Sequence, residues 1–173
     1  KTVRASSGKQ MRLHVWDTAG QECFRSIIKA YYRCIAGAFI LFDVTDRKSF
    51  TSLEHWLQAL RTNNENSLYL PITILGNKTE SKDRIVSAEE AKDFADKNNA
   101  TYREISVKNN CGIDEAVLNM VDNIERIFIT QDRACEGIRP GNDIGVGVPL
   151  ELNTPTSFSL HFTNSKKKCC NSR

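Results

Sequence analysis

At 173 residues the chain has the length of one ordinary domain, and its 40% hydrophobic and 26% charged residues are the balance of a soluble globular protein. A net charge of +3, with no Lys/Arg stripe interleaved with aromatics, argues against nucleic acid as a partner. No apolar run approaches the roughly 18 residues that span a bilayer, and the six cysteines show neither a signal-peptide context nor the spacing of zinc ligands, so a reduced chain on the cytosolic side is expected.

In chain order, Lys1 to Ala5 and Met11 to Trp16 read as strands about the turn Ser6-Ser7-Gly8-Lys9. Met11, Leu13 and Val15 alternate with Arg12, His14 and Trp16, which gives the second strand an aliphatic face. Ala36 to Val44 is a continuous apolar run, the mark of a strand buried on both sides. Ser49 then opens a helix with Phe50, Leu53, Trp56, Leu57 and Leu60 at helical spacing. Tyr69 to Leu75 is a second buried strand, stopped at Gly76-Asn77. Ser87 and Glu90 form a capping box, in which each side chain satisfies the other residue's free backbone N–H, for a helix that runs to about Asn98. Thr101 to Ser106 is a short strand, and Ile113, Val117, Met120, Val121, Ile124, Ile127 and Phe128 form the stripe of a last helix.

Such alternation of strands and helices predicts an α/β fold with a mainly parallel sheet, whose ligand lies beyond the carboxyl ends of the strands. Residues 1–130 are expected to form the domain. Beyond Thr130 the glycines at 137, 141, 145 and 147 and the prolines at 140, 149 and 155 read as a flexible tail, 131–173, with no second domain.

The most specific feature is Trp16-Asp17-Thr18-Ala19-Gly20-Gln21-Glu22, which follows a strand and leads toward Tyr31-Tyr32-Arg33. Together with Cys23-Phe24-Arg25-Ser26-Ile27 and Asp43-Val44-Thr45, it resembles the Rab branch of the small GTPases over roughly residues 1–130. The resemblance implies a P-loop NTPase (Ras-like) G domain that binds GTP or GDP with Mg2+ and regulates intracellular vesicle traffic. Asp17, a carboxylate at a strand end, would hold a magnesium-bound water. Gly20, without a Cβ, would bring its N–H close to a γ-phosphate and order the segment after it, and Gln21 would orient the attacking water. Trp16 and Tyr31 match aromatics through which such proteins contact effectors. Cys23 departs from the arginine usual at that position.

Asn77-Lys78-Thr79-Glu80 resembles the family's Asn-Lys-x-Asp guanine motif, with Glu80 one methylene longer than the aspartate. The resemblance assigns the base edge to Asn77, the purine face to the stem of Lys78 and the guanine N–H pair to Glu80. Ser106-Val107-Lys108 resembles the Ser-Ala-Lys loop, whose middle N–H meets guanine O6. The phosphate-binding pattern Gly-x-x-x-x-Gly-Lys-[Ser/Thr] does not occur. Gly8-Lys9 fails it because Val3 stands at the first glycine position and Gln10 follows the lysine. The chain is therefore expected to be an N-terminally incomplete G domain, without the first strand, P-loop, first helix and first switch. In the resembling fold that first strand lies between the strands at 11–16 and 37–43. Its omission would leave two apolar strand edges open, so the chain is expected neither to fold well alone nor to bind nucleotide.

Lys166-Lys167-Lys168-Cys169-Cys170 near the end resembles a double geranylgeranylation site, where two lipids and a basic run give durable anchoring. The implied partners are the Rab escort protein with geranylgeranyl transferase, GDP dissociation inhibitor, an exchange factor, a GTPase-activating protein and effectors. The implied location is the cytoplasmic face of an intracellular membrane, in exchange with cytosol. The alternative is a lipid-tethered, Rab-like interaction protein that does not cycle nucleotide.

Overall fold

A computed structural model of the chain describes residues 1–18, 35–64, 69–134 and 156–164. The strands are β1 (Thr2–Arg4), β2 (Gln10–Thr18), β3 (Gly37–Asp43), β4 (Ile72–Asn77), β5 (Thr101–Glu104) and β6 (Thr156–Asn164). The helices are α1 (Arg47–Thr51), α2 (Leu53–Asn63), α3 (Ala88–Lys97) and α4 (Ile113–Ala134). The strands form one six-stranded sheet in the order β1-β2-β6-β3-β4-β5. Only the β1–β2 pair is antiparallel.

Both faces of the sheet are covered, so its central strands are apolar throughout instead of alternating. Ala38, Ile40 and Phe42 of β3 and Ile72 and Ile74 of β4 pack with Phe50, Leu53, Leu57, Leu60, Ala91 and Ala95 of α1 to α3. Phe39 and Leu75 point the other way and join Met11, Leu13 and Ile105 beneath Ala116, Met120, Val121 and Ile124 of α4. The hairpin turn is tied to α4 as well. Ser6 gives its N–H and hydroxyl to the Asp122 carboxylate at 2.9 and 2.6 Å, and the Ser7 hydroxyl donates to Glu125 at 2.8 Å.

The strand–helix order matches the sequence reading, with three local differences. The helix expected from Ser49 begins at Arg47 and breaks at Ser52. Asp46 caps it by accepting the Lys48 N–H, and Ser49 is buried, its hydroxyl donating to the Asp46 carbonyl at 2.8 Å. Ser87 does accept the Glu90 N–H at 3.1 Å, but the Glu90 carboxylate turns to Arg47, so only half of the capping box forms. The last helix runs four residues beyond Thr130, to Ala134.

The largest difference concerns the C-terminal region. Residues 156–164, read as part of a flexible tail, form β6 inside the sheet. β6 runs parallel to β2 in the register Met11↔Thr156 through Thr18↔Thr163, and parallel to β3 from Gly37↔Leu160 through Leu41↔Asn164. The two strand edges expected to lie open therefore face a strand. The physical reason is the demand of buried backbone for hydrogen-bond partners, which a nearby extended segment of the same chain can meet. β1 pairs with Gln10–Arg12, so among the described residues β6 carries the ladder of β2 from His14 to Thr18.

Met120 is fully buried between α4 and the sheet, whereas Val15 is 52% exposed. Met120→Ala is expected to lower unfolding free energy by about 2–5 kcal/mol in urea titrations, while Val15→Ala stays within about 0.5 kcal/mol of the parent.

Candidate functional site

β3, β4 and β5 run parallel and end on the same edge of the sheet, and the loops beyond their ends interlock there. Asp43 closes β3. Its Oδ1 accepts the Thr45 N–H at 3.0 Å and the Thr45 hydroxyl at 2.7 Å, the local turn that an Asp-x-Thr sequence favours. Its Oδ2 pairs with the Lys78 ammonium. Burial alone would push the Asp43 carboxyl up, but Lys78 and Thr45 outweigh it and hold the group below the usual carboxylate range. The same contact raises the Lys78 ammonium above its ordinary value.

Lys78 has a φ of 70°, a left-handed conformation that non-glycine residues rarely adopt, and the neighbouring contacts hold it there. On one side Asn77 Oδ1 accepts the Val107 N–H at 3.1 Å, tying the loop after β4 to the loop after β5. On the other the Thr79 hydroxyl donates to the Ile105 carbonyl at 3.1 Å. The loop after β5 is itself a closed turn: Ser106 and Cys111 exchange backbone bonds at 3.0 and 2.9 Å, and the Ser106 hydroxyl accepts the Asn109 N–H at 3.1 Å. Gly112 then starts toward α4 with φ +75°, and a Cβ there would stand 2.6 Å from the Glu104 carbonyl.

Glu80 lies in the angle between these loops. The Ser106 hydroxyl, its own backbone N–H, Lys108 and Lys78 lower its carboxyl against the opposing effect of burial. Its Oε2 is sealed from solvent and has no hydrogen-bond partner. An orphaned buried acceptor asks for a donor, and the edge of guanine presents two adjacent N–H groups. Glu80 thus retains an acceptor of the kind that the motif's ligand would require.

The structure brings Asn77, Lys78, Glu80, Ser106, Val107 and Lys108 to one place. The Val107 N–H that the resemblance assigns to guanine O6 is given to Asn77, while the Val107 side chain is 56% exposed. Trp16, on β2, is 45% exposed. The backbone of Asp17 lies in β2 opposite Phe162, whereas its side chain, together with Gly20, Gln21, Tyr31, Cys169 and Cys170, lies outside the described residues. Sequence reasoning did not assign a site role to Asp43 or Thr79. Asp43-Val44-Thr45 carried a signal in its Asp-x-Thr spacing, but the partnership with Lys78 across two loops left no mark in sequence order.

A model of the Ras family matches residues 1–126. The GTP-binding protein ypt3 of Schizosaccharomyces pombe is 36% identical over 163 residues, which cover 94% of this chain and 74% of ypt3. The Ras-related protein Rab-11A of Dictyostelium discoideum is 33% identical over 170 residues, 95% of this chain and 74% of that protein.

A carboxyl held below its ordinary value stabilises the fold at pH above that value, and the contribution disappears as pH falls through the folded-state value. Asp43→Asn is therefore expected to reduce stability at neutral pH. The gap between variant and parent should close as pH drops below about 4, read from urea midpoints at a series of pH values. Lys78, raised, keeps its share until pH climbs past about 10.4.

Proposed function

Because the chain belongs to the Ras family, with its relatives on the Rab and Ypt side, we propose that it is a GTP-hydrolysing switch of intracellular membrane traffic. Members of the family use GTP or GDP and Mg2+. The observation that carries the reading is the buried, unpartnered Oε2 of Glu80 beside the Asn77–Val107 brace. At the position where guanine offers N–H, adenine offers a ring nitrogen acceptor and a C–H, so a carboxylate there selects guanine. A polar site left unsatisfied by the wrong base rejects it strongly.

In this reading Asn77 holds the base edge and the two loops together, and the Lys78 stem lies along the purine face while its ammonium stays on Asp43. Ser106 steadies the Glu80 carboxylate, and Val107 and Lys108 close the far side of the base. Asp17, at the end of β2, holds a water of the Mg2+ shell. Held there, Mg2+ would supply neutralisation of phosphate charge. Gly20 gives its N–H to the γ-phosphate and draws the following segment into order, and Gln21 aligns the water that attacks. Trp16 and Tyr31 supply the aromatic contact read by effectors. Cys169 and Cys170 carry two geranylgeranyl groups beside the Lys166–Lys168 run. The escort protein with its transferase, GDP dissociation inhibitor, exchange factor and GTPase-activating protein act on the protein as it moves between cytosol and an intracellular membrane.

Titration of the full-length protein, which supplies the phosphate loop expected of a complete G domain, with fluorescent GDP in the presence of Mg2+ tests the reading. GTP is expected to displace the probe, and ATP is not. Glu80→Asp, which restores the shorter reach usual in the family, should tighten GDP by about 1–2 kcal/mol, roughly 5- to 30-fold. Gln21→Leu should slow single-turnover hydrolysis by at least about tenfold while GDP affinity holds. Equal displacement by ATP, or no guanine nucleotide binding by the parent and Glu80→Asp alike, defeats the proposal.

A further inference from the structure

β5 reads Thr101-Tyr102-Arg103-Glu104, and residues two apart in a strand share a face. Tyr102 and Glu104 therefore stand on the side that carries α1 to α3, where the Tyr102 ring is partly buried and stacks on Phe42 with ring centroids 6.3 Å apart. At its tip the phenol hydroxyl donates to Glu104 Oε1 at 3.0 Å. The same oxygen accepts the Arg84 guanidinium at 2.7 Å. Burial, with the Glu104 hydrogen bond added, pushes the phenol above its ordinary value, so it stays a neutral donor at physiological pH.

The hydroxyl also rests on the end of β4. A Cβ at Gly76 would stand 2.7 Å from the Tyr102 oxygen and 3.2 Å from Phe42 and Val44, so glycine here leaves room for the tyrosine tip. Gly76 immediately precedes Asn77, and its carbonyl accepts the Ile105 N–H at 2.9 Å.

Glu104 and Arg84 stand where the two base loops meet the sheet. Glu104 is followed by Ile105, whose carbonyl takes the Thr79 hydroxyl, and by Ser106, whose hydroxyl engages Glu80. Arg84 lies at the far end of the loop that starts at Lys78. Beside it the N–H groups of Ile85 and Val86 both donate to the Val44 carbonyl, at 2.9 and 3.0 Å. The Arg84–Glu104 contact thus ties the far end of the Glu80 loop to the strand that leads into 106–108. Its side chains are 29% and 37% exposed, and a pair so open to water holds one geometry weakly by itself. A second donor on that oxygen, carried by a ring that packing holds still, limits how far the carboxylate can swing.

We propose that Tyr102 is a positioning residue for guanine recognition: its hydroxyl fixes the Glu104 carboxylate and, through Arg84, the loop that presents Glu80. The proposal rests on the guanine reading of Asn77, Lys78 and Glu80. Tyr102 acts through Glu104 and Arg84, not on the base. Its effect is on the angle at which the Glu80 carboxylate meets two adjacent N–H groups, where a pair of simultaneous bonds makes a small displacement costly.

Affinities of the full-length protein for GDP and for inosine diphosphate, whose base lacks the exocyclic amino group, test the proposal in the presence of Mg2+. The parent is expected to prefer GDP, since Glu80 meets only one N–H of the inosine base. Tyr102→Phe keeps the ring and removes the hydroxyl, and should shrink that preference about two- to tenfold, the span of a single hydrogen bond. A hydroxyl that only stabilised the fold would lower the unfolding midpoint and leave the preference unchanged, so an unchanged preference overturns the proposal. Glu104→Ala should shrink the preference as well. Tyr102→Phe added to Glu104→Ala should change it no further, because the hydroxyl acts through that carboxylate. Independent, multiplying effects of the two substitutions overturn the route through Glu104. A parent that binds GDP no better than inosine diphosphate removes the guanine reading of Glu80 and the positioning role with it. A parent with a clear preference that Tyr102→Phe leaves intact removes the role of Tyr102 alone.

Discussion

The structure depends on the hydrogen bonding of β3. This strand lies in the middle of a parallel sheet with helices on both faces, and every N–H and C=O along it must be met by a neighbouring strand because water has no access. β4 answers one side from Ala38 to Asp43, and β6 answers the other from Gly37 to Leu41. The two apolar cores form on this framework. Phe39 faces α4, while Ala38, Ile40 and Phe42 face α1 to α3. A central strand without a partner would leave unsatisfied polar groups between two hydrophobic layers, a far costlier defect than a loose helix end.

The same framework braces the loops beyond β3, β4 and β5. β3, β4 and β5 deliver Asp43, Asn77 and Glu104 to one edge, and short bonds between the loops beyond them hold those loops in place. The Asp43–Lys78 pair joins the first loop to the second, and Asn77 and Thr79 join the second to the third. Lys78 can keep its left-handed backbone because contacts on both sides hold it, the pattern expected where strain is retained for a purpose. Glu80 is then presented with one oxygen engaged by Ser106 and the other buried and unmatched.

Much of this was legible in the order of the residues. The apolar runs at 36–44 and 69–75 announced strands buried on both faces, and the stripe from Ile113 to Phe128 announced a long helix over one of them. The base loops were legible because their chemistry is local: Asn77, Lys78, Glu80 and Ser106 to Lys108 come directly after strand ends. What escaped was non-local. The Asp43–Lys78 contact spans 35 positions, and nothing in either neighbourhood requires it. β6 escaped for a different reason. Its alternating Phe158, Leu160 and Phe162 were hidden by the glycines and prolines before them and the lysines after them, a composition that reads as a tail. A pairing with strands so far off in the sequence shows only once those strands are in place.

That pairing bears on the switch strand. β1 supports β2 only at Gln10–Arg12, so the half of β2 that leads to Asp17 takes its strand pairing from β6, through Trp16↔His161, Asp17↔Phe162 and Thr18↔Thr163. The base loops have no such dependence, because β4 and β5 brace them from the opposite side of β3. This edge of the sheet therefore has two halves that are braced differently. The half that carries Asn77, Lys78 and Glu80 is built from neighbouring strands and closed loops. The half that carries Trp16 and Asp17 takes its strand pairing from β6. Segments held by few local contacts open at lower free energy than the core, so the carboxyl end of β2 is expected to open more readily than the braced loops after β4 and β5.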